Sequence, residues 1–481
     1  MRLTVPDLHT WVAGHRHDSP VTLSDDICDP NDGSPVQRNR ASSPHQVDDA
    51  IIAATGVHQD RSWQALGVEG RGDHLHAFAD RLDALTDQIA ELDAVNSGVP
   101  ISITTLFADS LGATVRGARA LANERGDDIG LAADGRPVRL RFVPWGPTAL
   151  IIPWNAPSAL MVKKMSYALA AGAPVIVKPS PAAPWSAELI AAVASEVFPP
   201  GVFGMVLGGA DIGARLCADA RVKAVSMTGS TTTGRAIAAA TAPNLTQLRL
   251  ELGSNNPVIV RSDADIPVAA QSIYAGMTKL NGQWCEAPRA IFATRGVYDR
   301  LVDSLAELVT HAELGCSTDA STVIGPQAFT ARRRELERQR AALIEAGWQQ
   351  IAAAPAPDRG AFFGPTLIGG ASGDLPGEVF GPMVTVERVD SDDDAIARAN
   401  AVGGGLAAYV FGADVEEALS VGSCLIAGEV KINGTSLLDM ADESAQSFFG
   451  LSGVGGHGDR DVLAFYTGKQ VVGQDMTDAP L

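Results

Sequence analysis

The sequence predicts an α/β fold, and three observations support this class. Short apolar runs alternate with helical stretches from residue 148 onward, which indicates a parallel sheet covered by helices on both faces. A second region of mixed helical and strand patterns extends from residue 253 into the 440s. The chain has 481 residues, 46% of them hydrophobic, so it can bury a large core in about two to four domains.

The first part of the chain is predicted to be mainly helical. Its first ~45 residues have an irregular pattern, in which the run DPNDGSP marks a turn. Apolar residues then recur three or four positions apart at 73–95, which predicts one amphipathic helix, and 104–125 has a similar pattern. The segment 127–141 is polar with alternating apolar positions, which predicts an exposed strand or hairpin, a candidate for pairing with a partner subunit.

The two α/β regions follow in order. The predicted strands of the first region are 149–152, 174–177, 204–207 and 224–227. Its predicted helices are 156–170, 185–197 and 212–218. This first region is typical of a Rossmann-like sheet, which binds ligands beyond the carboxyl ends of its strands. In the second region the predicted helices are 298–311 and 332–346, and the predicted strands are 407–411 and 429–432.

Charge and cysteine content argue against several classes of protein. Lys plus Arg number 37 and Asp plus Glu number 56, so the net charge of −19 repels nucleic acid. We expect no secretory signal and no membrane span, because no long uninterrupted apolar run is present. The 5 cysteines are scattered, which fits neither a disulfide framework nor a metal site, so we expect a reducing cytoplasm.

Three motifs place polar groups where the predicted strands of the first region end. Asn155 in PWNAP follows a strand, although an Asn between prolines is usually a turn residue. Lys178 ends the next strand and is either a solvated lysine or a ligand-binding one. The glycine-rich turn 229–234 precedes a helix whose N-terminus can bind phosphate, but it is neither GxGxxG nor a Walker A loop.

Two further residues are candidates for covalent chemistry. Glu251 ends an apolar strand and is either an ion-pair partner or an acid whose pKa is tuned by its environment. Cys285 lies in NGQWCEAPR and is either an inert buried thiol or a nucleophile. A thiolate suits attack on a carbonyl carbon, because the resulting thiohemiacetal can lose hydride.

Taken together and in this order, these motifs resemble the NAD(P)-dependent aldehyde dehydrogenase superfamily over nearly the whole chain. The spacing from Glu251 to Cys285, 285 − 251 = 34 positions, fits that family, as does the run EVFGP that begins at Glu378. The resemblance implies an aldehyde-dehydrogenase-like α/β fold with a Rossmann-like cofactor domain, an α/β catalytic domain and a small β bridging element.

The resemblance also implies a division of the chain into these three parts. We expect the cofactor-binding domain at 1–126 and 145–252, and the catalytic domain at 253–445. The bridging element would consist of 127–144 and 446–481. Pairing of strands in that element would produce a homodimer or homotetramer.

The reaction implied is oxidation of an aldehyde to a carboxylic acid. Cys285 would attack the aldehyde carbon, and the Asn155 amide with the Cys285 backbone N–H would stabilise the oxyanion. Glu251 would then activate the water that hydrolyses the thioester. Lys164 would lie near the path of the proton, although the adjacent Lys163 competes for that assignment.

The cofactor implied is NAD or NADP. Lys178 would bind the adenosine ribose, Ser230 the pyrophosphate and Glu378 the nicotinamide ribose, with Phe380 near the ring. The other residues expected around the cofactor are Trp154, Ser180, Pro181, Gly229, Gly234 and Leu252. NAD-preferring members often have Glu where this chain has Pro181, so we expect NADP to be tolerated or even preferred.

The aldehyde itself is the least defined part of the prediction. Glu286 follows the nucleophile and either pairs with Arg289 or contacts a polar or cationic substrate. Trp284, Phe448 and Phe449 are expected to line an apolar substrate tunnel, although the C-terminal motif departs from the family pattern there.

Two alternatives to a hydrolytic dehydrogenase stay open. One is a CoA-acylating semialdehyde dehydrogenase, in which a thiol replaces water; the presence of Glu251 argues against it. The other is a non-enzymatic protein with a dehydrogenase-like fold, and the presence of both Cys285 and Glu251 argues against that.

Overall fold

A computed structural model describes residues 4–373, 375, 377–438, 440–441 and 443–476. The helices that position the site surround two parallel sheets and a small third sheet. The α-helices are Pro44–Asp60, Ser62–Ala65, Gly67–Asp83, Thr86–Ser97, Ile101–Arg125, Pro157–Ala170, Trp185–Val197, Ala210–Ala218, Thr231–Thr241, Ile266–Thr278, Arg295–Thr310, Thr330–Glu345, Asp392–Ala401, Val415–Ser423 and Asp459–Phe465. Among the described residues, none of these helices combines the length and apolarity needed to cross a bilayer.

Two predictions for the first part of the chain are wrong. The single helix expected at 73–95 is two helices, Gly67–Asp83 and Thr86–Ser97. The apolar stripe continues across the break because Leu82 and Ile89 are both fully buried, so periodicity alone did not reveal it. The expected irregular N-terminal segment contains a hairpin, His9–Val12 with His15–Asp18, whose second strand is exposed and polar.

The first sheet is parallel at its centre and antiparallel at both edges. Its strands lie in the spatial order His15–Asp18, His9–Val12, Phe203–Met205, Val175–Lys178, Thr148–Ile151, Ala224–Thr228, Gln247–Glu251 and Gly453–Val454. The central strands are fully buried apolar runs, as expected for a sheet with helices on both faces. The strands predicted from sequence are all present, displaced by one or two residues at their ends.

The second sheet confirms the predicted second α/β region. Its strands lie in the order Gln349–Ala353, Thr366–Gly369, Met383–Val389, Ala290–Thr294, Pro257–Val260, Ala407–Phe411 and Glu429–Ile432. All neighbouring strands are parallel except the pair at the edge that contains Gln349–Ala353. Strands Ala407–Phe411 and Glu429–Ile432 match their predicted bounds.

The third sheet joins two distant segments of the chain. Val138–Pro144 pairs on one side with Asp128–Gly130 and on the other with Thr467–Gly473, both antiparallel. The predicted hairpin at 127–141 is therefore confirmed. Thr467–Gly473 follows the segment that contributes Gly453–Val454 to the first sheet, so this part of the chain connects two sheets.

Parallel pairing brings several of the predicted polar residues to one edge of the first sheet. Glu251 and Thr228 are the last residues of adjacent parallel strands and pair in register. Lys178 is the last residue of its strand and pairs with Ile151, just before the PWNAP turn that contains Asn155. The edge therefore collects a carboxylate, an ammonium and an amide beyond the strand ends, where open α/β sheets bind ligands.

Candidate active site

The thiol of Cys285 faces the carboxylate of Glu251. Cys285 Sγ lies 3.5 Å from Glu251 Oε1, close enough for the thiol to donate a proton to the carboxylate. The other oxygen of Glu251, Oε2, accepts a hydrogen bond of 3.0 Å from Thr228 Oγ1. The two residues that the sequence singled out for covalent chemistry are therefore in direct contact.

Glu251 is buried and surrounded by basic groups. Burial alone would raise the pKa of this carboxyl, but His457, Lys164 and Arg249 outweigh burial and hold the pKa well below its usual range. Lys164 donates to Ser226 Oγ at 3.0 Å, and burial lowers the pKa of its ammonium to about 7. Glu251 is therefore ionised at neutral pH and can accept a proton.

The thiol of Cys285 is protonated in this arrangement. Burial raises its pKa well above the ordinary value, and the carboxylates of Glu251 and Glu286 raise it further. A protonated thiol beside an ionised carboxylate is the arrangement required before a proton transfer that creates the thiolate.

A buried arginine holds the loop that presents Cys285. Arg289 donates from Nη2 to the carbonyl of Gly282 and from Nη1 to that of Gly381, the latter at 2.8 Å. The loop turns through Leu280 and Asn281, whose φ angles are +51° and +58°. Because non-glycine residues rarely adopt such angles, the loop needs these anchors to keep its shape.

Asn155 is attached to the same loop. Its Nδ2 donates to the carbonyl of Gln283 at 2.9 Å, and the same amide carries a second N–H. Gln283 is itself fixed by the hydrogen bond of 2.9 Å that its Nε2 donates to the carbonyl of Ser97. The amide is therefore rigidly placed beside the nucleophile.

Two cavities meet at these residues. A narrow one of about 150 Å³ and a wide one of about 1080 Å³ share Asn155, Thr228, Glu251 and Cys285 in their walls. A group bound in either cavity can therefore contact the thiol. This arrangement suits a reaction between two molecules that are bound in separate cavities and share one nucleophile.

The narrow cavity has the lining expected for a nicotinamide. Trp154 and Phe380 lie in its wall, with ring centroids 5.4 Å apart. Glu378 is also in the wall, and burial raises the pKa of its carboxyl to about 7. Nε and Nη2 of Arg332 are buried in this wall without a hydrogen-bond partner in the described part of the chain, which leaves donors free for a ligand.

The glycine-rich turn leads from this cavity into a helix. Ser230 is the N-cap of Thr231–Thr241, and its Oγ accepts a hydrogen bond from the Thr233 N–H at 3.2 Å. A Cβ at Gly234 would approach the Leu252 side chain to 2.6 Å, so the close packing of helix on strand requires glycine. Ser230 and Gly229 line the narrow cavity, while Gly234 acts through packing.

The other predicted cofactor residues lie further from the nucleophile. Lys178 is buried, and its Nζ donates to the carbonyls of Pro179 at 3.1 Å and Gly208 at 2.7 Å. Ser180 Oγ accepts a hydrogen bond from the Ala182 N–H, and the Pro181 side chain offers no acceptor. These residues are not among those that line the two cavities at Cys285.

The wide cavity contains Glu286 and Trp284. Gln446 Nε2 donates to Glu286 Oε1 at 3.1 Å, and Tyr409 donates its hydroxyl to the Glu286 carbonyl. The expected pairing of Glu286 with Arg289 is wrong, because the Arg289 guanidinium is directed to the carbonyls of Gly282 and Gly381 instead. The Glu286 carboxylate is therefore available in the cavity that opens on the thiol.

The two phenylalanines expected in the substrate tunnel are placed differently. Phe448 is buried and packs its ring edge-to-face on His457 at 4.9 Å, while Phe449 is 44% exposed. Neither is among the residues that line the wide cavity, whose aromatic side chains are Phe107 and Trp284.

The family model of the aldehyde dehydrogenase family matches residues 20–472. The chain belongs to this family. The family assignment that the motifs suggested is therefore confirmed, and the enzyme is an NAD(P)-dependent oxidoreductase that acts on aldehydes.

Relatives of the enzyme include named dehydrogenases. Geranial dehydrogenase of Castellaniella defragrans is 32% identical over 447 residues, which cover 90% of this chain and 92% of that protein. A betaine aldehyde dehydrogenase of Cereibacter sphaeroides is 31% identical and covers 94% of this chain and 95% of its own length. The similarity therefore extends over nearly the whole enzyme.

Solved structures agree with this assignment. Betaine aldehyde dehydrogenase from Staphylococcus aureus in complex with NAD+ superposes with a TM-score of 0.92 at 27% identity, covering 98% of this chain and 95% of that one. PnpE in complex with nicotinamide adenine dinucleotide has a TM-score of 0.91 at 30% identity and covers 98% of each chain. The expected fold class is confirmed.

Sequence reasoning missed three residues around the dehydrogenase site. His457, Gln446 and Arg332 contact or line it, but each comes from a segment far along the chain from the residue it serves; Gln446, for example, is 160 positions from Glu286. His457 lies in the altered C-terminal motif, and that departure from the family pattern was the available signal. Within the described residues, no group of His, Cys, Asp or Glu is arranged to hold a metal ion.

We predict that replacing Arg289 with Lys destabilises the enzyme. The two ends of the guanidinium reach the separate carbonyls of Gly282 and Gly381, and a single ammonium nitrogen does not span both positions, so at least one buried carbonyl loses its partner. The free energy of unfolding should fall by about 2 kcal/mol. Urea unfolding monitored by tryptophan fluorescence measures this value, with Arg338→Lys on an exposed helix face as the control. An unchanged midpoint would show that the loop does not depend on the guanidinium.

Proposed function

We propose that the enzyme is a hydrolytic aldehyde dehydrogenase in which Cys285 is the nucleophile and Glu251 the base. The observation that carries this proposal is the 3.5 Å contact between Cys285 Sγ and Glu251 Oε1, at the point where the narrow and the wide cavity meet. A base beside the nucleophile can serve the formation and the hydrolysis of an acyl-enzyme.

In the first step the thiol of Cys285 loses its proton to Glu251. The thiolate attacks the aldehyde carbon, and the carbonyl oxygen becomes the oxyanion of a thiohemiacetal. The second N–H of the Asn155 amide and the backbone N–H of Cys285 donate to that oxyanion, each worth about 3 kcal/mol in comparable sites. When bound, NAD(P)+ supplies the hydride acceptor that converts the thiohemiacetal into a thioester.

Glu251 first releases the thiol proton to solvent, which is the proton set free in the overall reaction. In the second step the ionised Glu251 removes a proton from water as the water attacks the thioester carbon. The carbon–sulfur bond breaks, the carboxylic acid leaves, and Glu251 returns the proton to the departing thiolate, which restores the thiol of Cys285. Lys164 supports this step, because its buried ammonium faces Glu251 and has a pKa of about 7, which suits proton exchange near neutrality. The exposed Lys163 pairs with Asp459 at 3.5 Å, which favours Lys164 for this role.

The chain holds the cofactor along the first sheet. We assign the nicotinamide ribose to Glu378, the ring to the space beside Phe380 and Trp154, and the pyrophosphate to Ser230 at its helix N-terminus. Lys178 and Ser180 serve the adenosine ribose. The unpaired donors of Arg332 and the apolar ring faces in the narrow cavity support this assignment.

The preferred aldehyde is polar or cationic. Glu286 contributes a carboxylate to the wide cavity that also contains the thiol. This carboxylate accepts a hydrogen bond from the Gln446 amide and forms no ion pair with a lysine or arginine in the described part of the chain. By contrast, Glu443 in the same cavity pairs with Arg460 at 3.0 Å. A cationic group on the substrate would satisfy Glu286.

The assembly and the division into domains follow the same assignment. We propose the cofactor domain at 1–126 and 145–252, the catalytic domain at 253–445 and the bridging element at 127–144 and 446–481. The third sheet exposes Ile129 and Val471, which supports pairing between subunits in a homodimer or homotetramer. The free cysteines support a cytoplasmic location.

We predict that Cys285→Ala abolishes aldehyde oxidation, because no other group attacks the carbonyl. Glu251→Gln should lower kcat by about 10² or more, because neither the thiol nor the water is then activated. Reduced-cofactor absorbance measures turnover. Turnover that survives in Cys285→Ala would refute the mechanism, and strong acceleration of the native enzyme by added CoA would indicate an acylating dehydrogenase instead.

We predict that Pro181→Glu shifts the cofactor preference toward NAD. A carboxylate there can accept a hydrogen bond from a ribose hydroxyl and repels a 2′-phosphate, so the ratio of kcat/KM for NAD to that for NADP should rise about tenfold. Ala182→Glu is the matched control, because it adds the same charge one position further along. An unchanged ratio in Pro181→Glu would contradict the assignment of this position to the ribose.

We predict that Glu286→Gln weakens the use of cationic aldehydes. The KM for a trimethylammonium aldehyde should rise about fivefold, while the KM for a neutral aliphatic aldehyde of similar length should stay the same. Glu443→Gln is the matched control, since that carboxylate of the same cavity is already ion-paired. Equal kinetics of native and Glu286→Gln enzyme with both aldehydes would exclude a contact with the substrate.

A further inference from the structure

His457 contacts the same carboxylate oxygen of the base as the nucleophile does. Its Nε2 lies 3.5 Å from Oε1 of Glu251, the oxygen that also faces Cys285 Sγ. The ring is held by edge-to-face packing on Phe448 and by the pairing of Gly456–His457 with Gln446–Ser447. His457 lines the wide cavity together with Glu251, so both groups are placed where the substrate enters.

Arg249 determines the tautomer of this imidazole. Its Nη2 lies 3.3 Å from Nδ1 of His457, and its Nε donates to the Gly456 carbonyl at 2.9 Å. A guanidinium only donates hydrogen bonds, so Nδ1 must be the unprotonated acceptor, and the single ring proton is on Nε2. The Nε2–H therefore faces Glu251.

We propose that His457 is a positioning residue that uses its Nε2–H to hold the Glu251 carboxylate in place between nucleophile and attacking water, with Arg249 fixing the tautomer that makes this possible. Because the proton on Nε2 already faces Glu251, the imidazole donates a hydrogen bond to the carboxylate. It does not accept the proton that Glu251 removes from water. This inference rests on the proposed role of Glu251 as the base.

The groups that face Glu251 determine how its ionisation responds to pH. They are the ammonium of Lys164 from Pro157–Ala170, the guanidinium of Arg249 on its own strand, the thiol of Cys285, the hydroxyl of Thr228 and the ring of His457. The three basic groups all lower the pKa of the carboxyl. Removing the donor of His457 therefore raises that pKa, while Lys164 and Arg249 still favour the ionised carboxylate.

Two amide variants separate this role from a packing role. In His457→Gln the amide nitrogen reaches the position of Nε2 and can still donate to Glu251. In His457→Asn the shorter amide reaches only the position of Nδ1, so it keeps the contact with Arg249 and loses the contact with Glu251. His45→Asn, on an exposed helix face, is the control for the substitution itself.

The ester p-nitrophenyl acetate reports on the steps without any cofactor. Its acyl group passes to Cys285 with release of p-nitrophenol, and Glu251-activated water then removes the acetyl group, so no oxidation takes place. The burst of p-nitrophenol counts folded, reactive sites and measures acylation. The steady rate that follows measures hydrolysis of the thioester, and both are recorded from about pH 4 to pH 8.

We expect His457→Asn to keep a full burst and to slow the steady rate about tenfold. His457→Gln should recover most of the rate, because its amide can still donate to Glu251. Equal steady rates in the Asn and Gln variants would overturn the positioning role. A native enzyme without a burst, or a burst that survives in Cys285→Ala, would instead refute the proposed function.

Discussion

The burial of one carboxylate is the constraint around which this site is built. Glu251 ends a strand in the interior, where an unpaired carboxylate would take up a proton and could not act as a base. Lys164, Arg249 and His457 come from three different segments to keep it ionised. Each of these groups is itself fixed by a further contact, such as that of Lys164 with Ser226. The Glu251 carboxylate therefore stays ionised only when the first sheet, the helix Pro157–Ala170 and the segment around 453–457 are correctly packed.

The wall between the two cavities explains how one thiol can serve two bound molecules. Cys285, Glu251, Asn155 and Thr228 belong to both linings, so the reacting groups are themselves the partition. A rigid partition is needed, because a displacement of about 1 Å can cost a large part of the rate. The hydrogen bonds that Arg289 donates to the Gly282 and Gly381 carbonyls hold the Cys285 loop in place and make the partition rigid.

The sequence predicted the parts of the molecule that depend on local pattern. Buried strands such as Ala407–Phe411 were recognised with correct bounds because they are short apolar runs, and Cys285, Glu251 and Asn155 were recognised from the order of their motifs. The break at Ala84 was missed because the buried stripe continues across it. The roles of His457 and Arg332 could not be predicted, because they depend on contacts between segments far apart in the chain.

The prediction that Phe448 and Phe449 both line the substrate tunnel failed because the sequence pattern does not show which way a side chain points. Side chains that are neighbours in an extended segment point to opposite sides, so Phe448 and Phe449 could not both line one cavity. The structure buries the first and exposes the second. The ring that is buried supports His457, so the aromatic character of this motif contributes to the base and not to the substrate tunnel.

The late position of the segment that completes the site has a consequence for synthesis of the protein. The strands that carry Glu251 and the loop that carries Cys285 leave the ribosome long before Gly453–Val454 and His457. Until those residues are made, the edge of the first sheet beside Glu251 is unpaired and the carboxylate lacks one of its neighbours. A nascent chain can therefore fold most of its cofactor-binding sheet before the Glu251 carboxylate acquires its contact with His457.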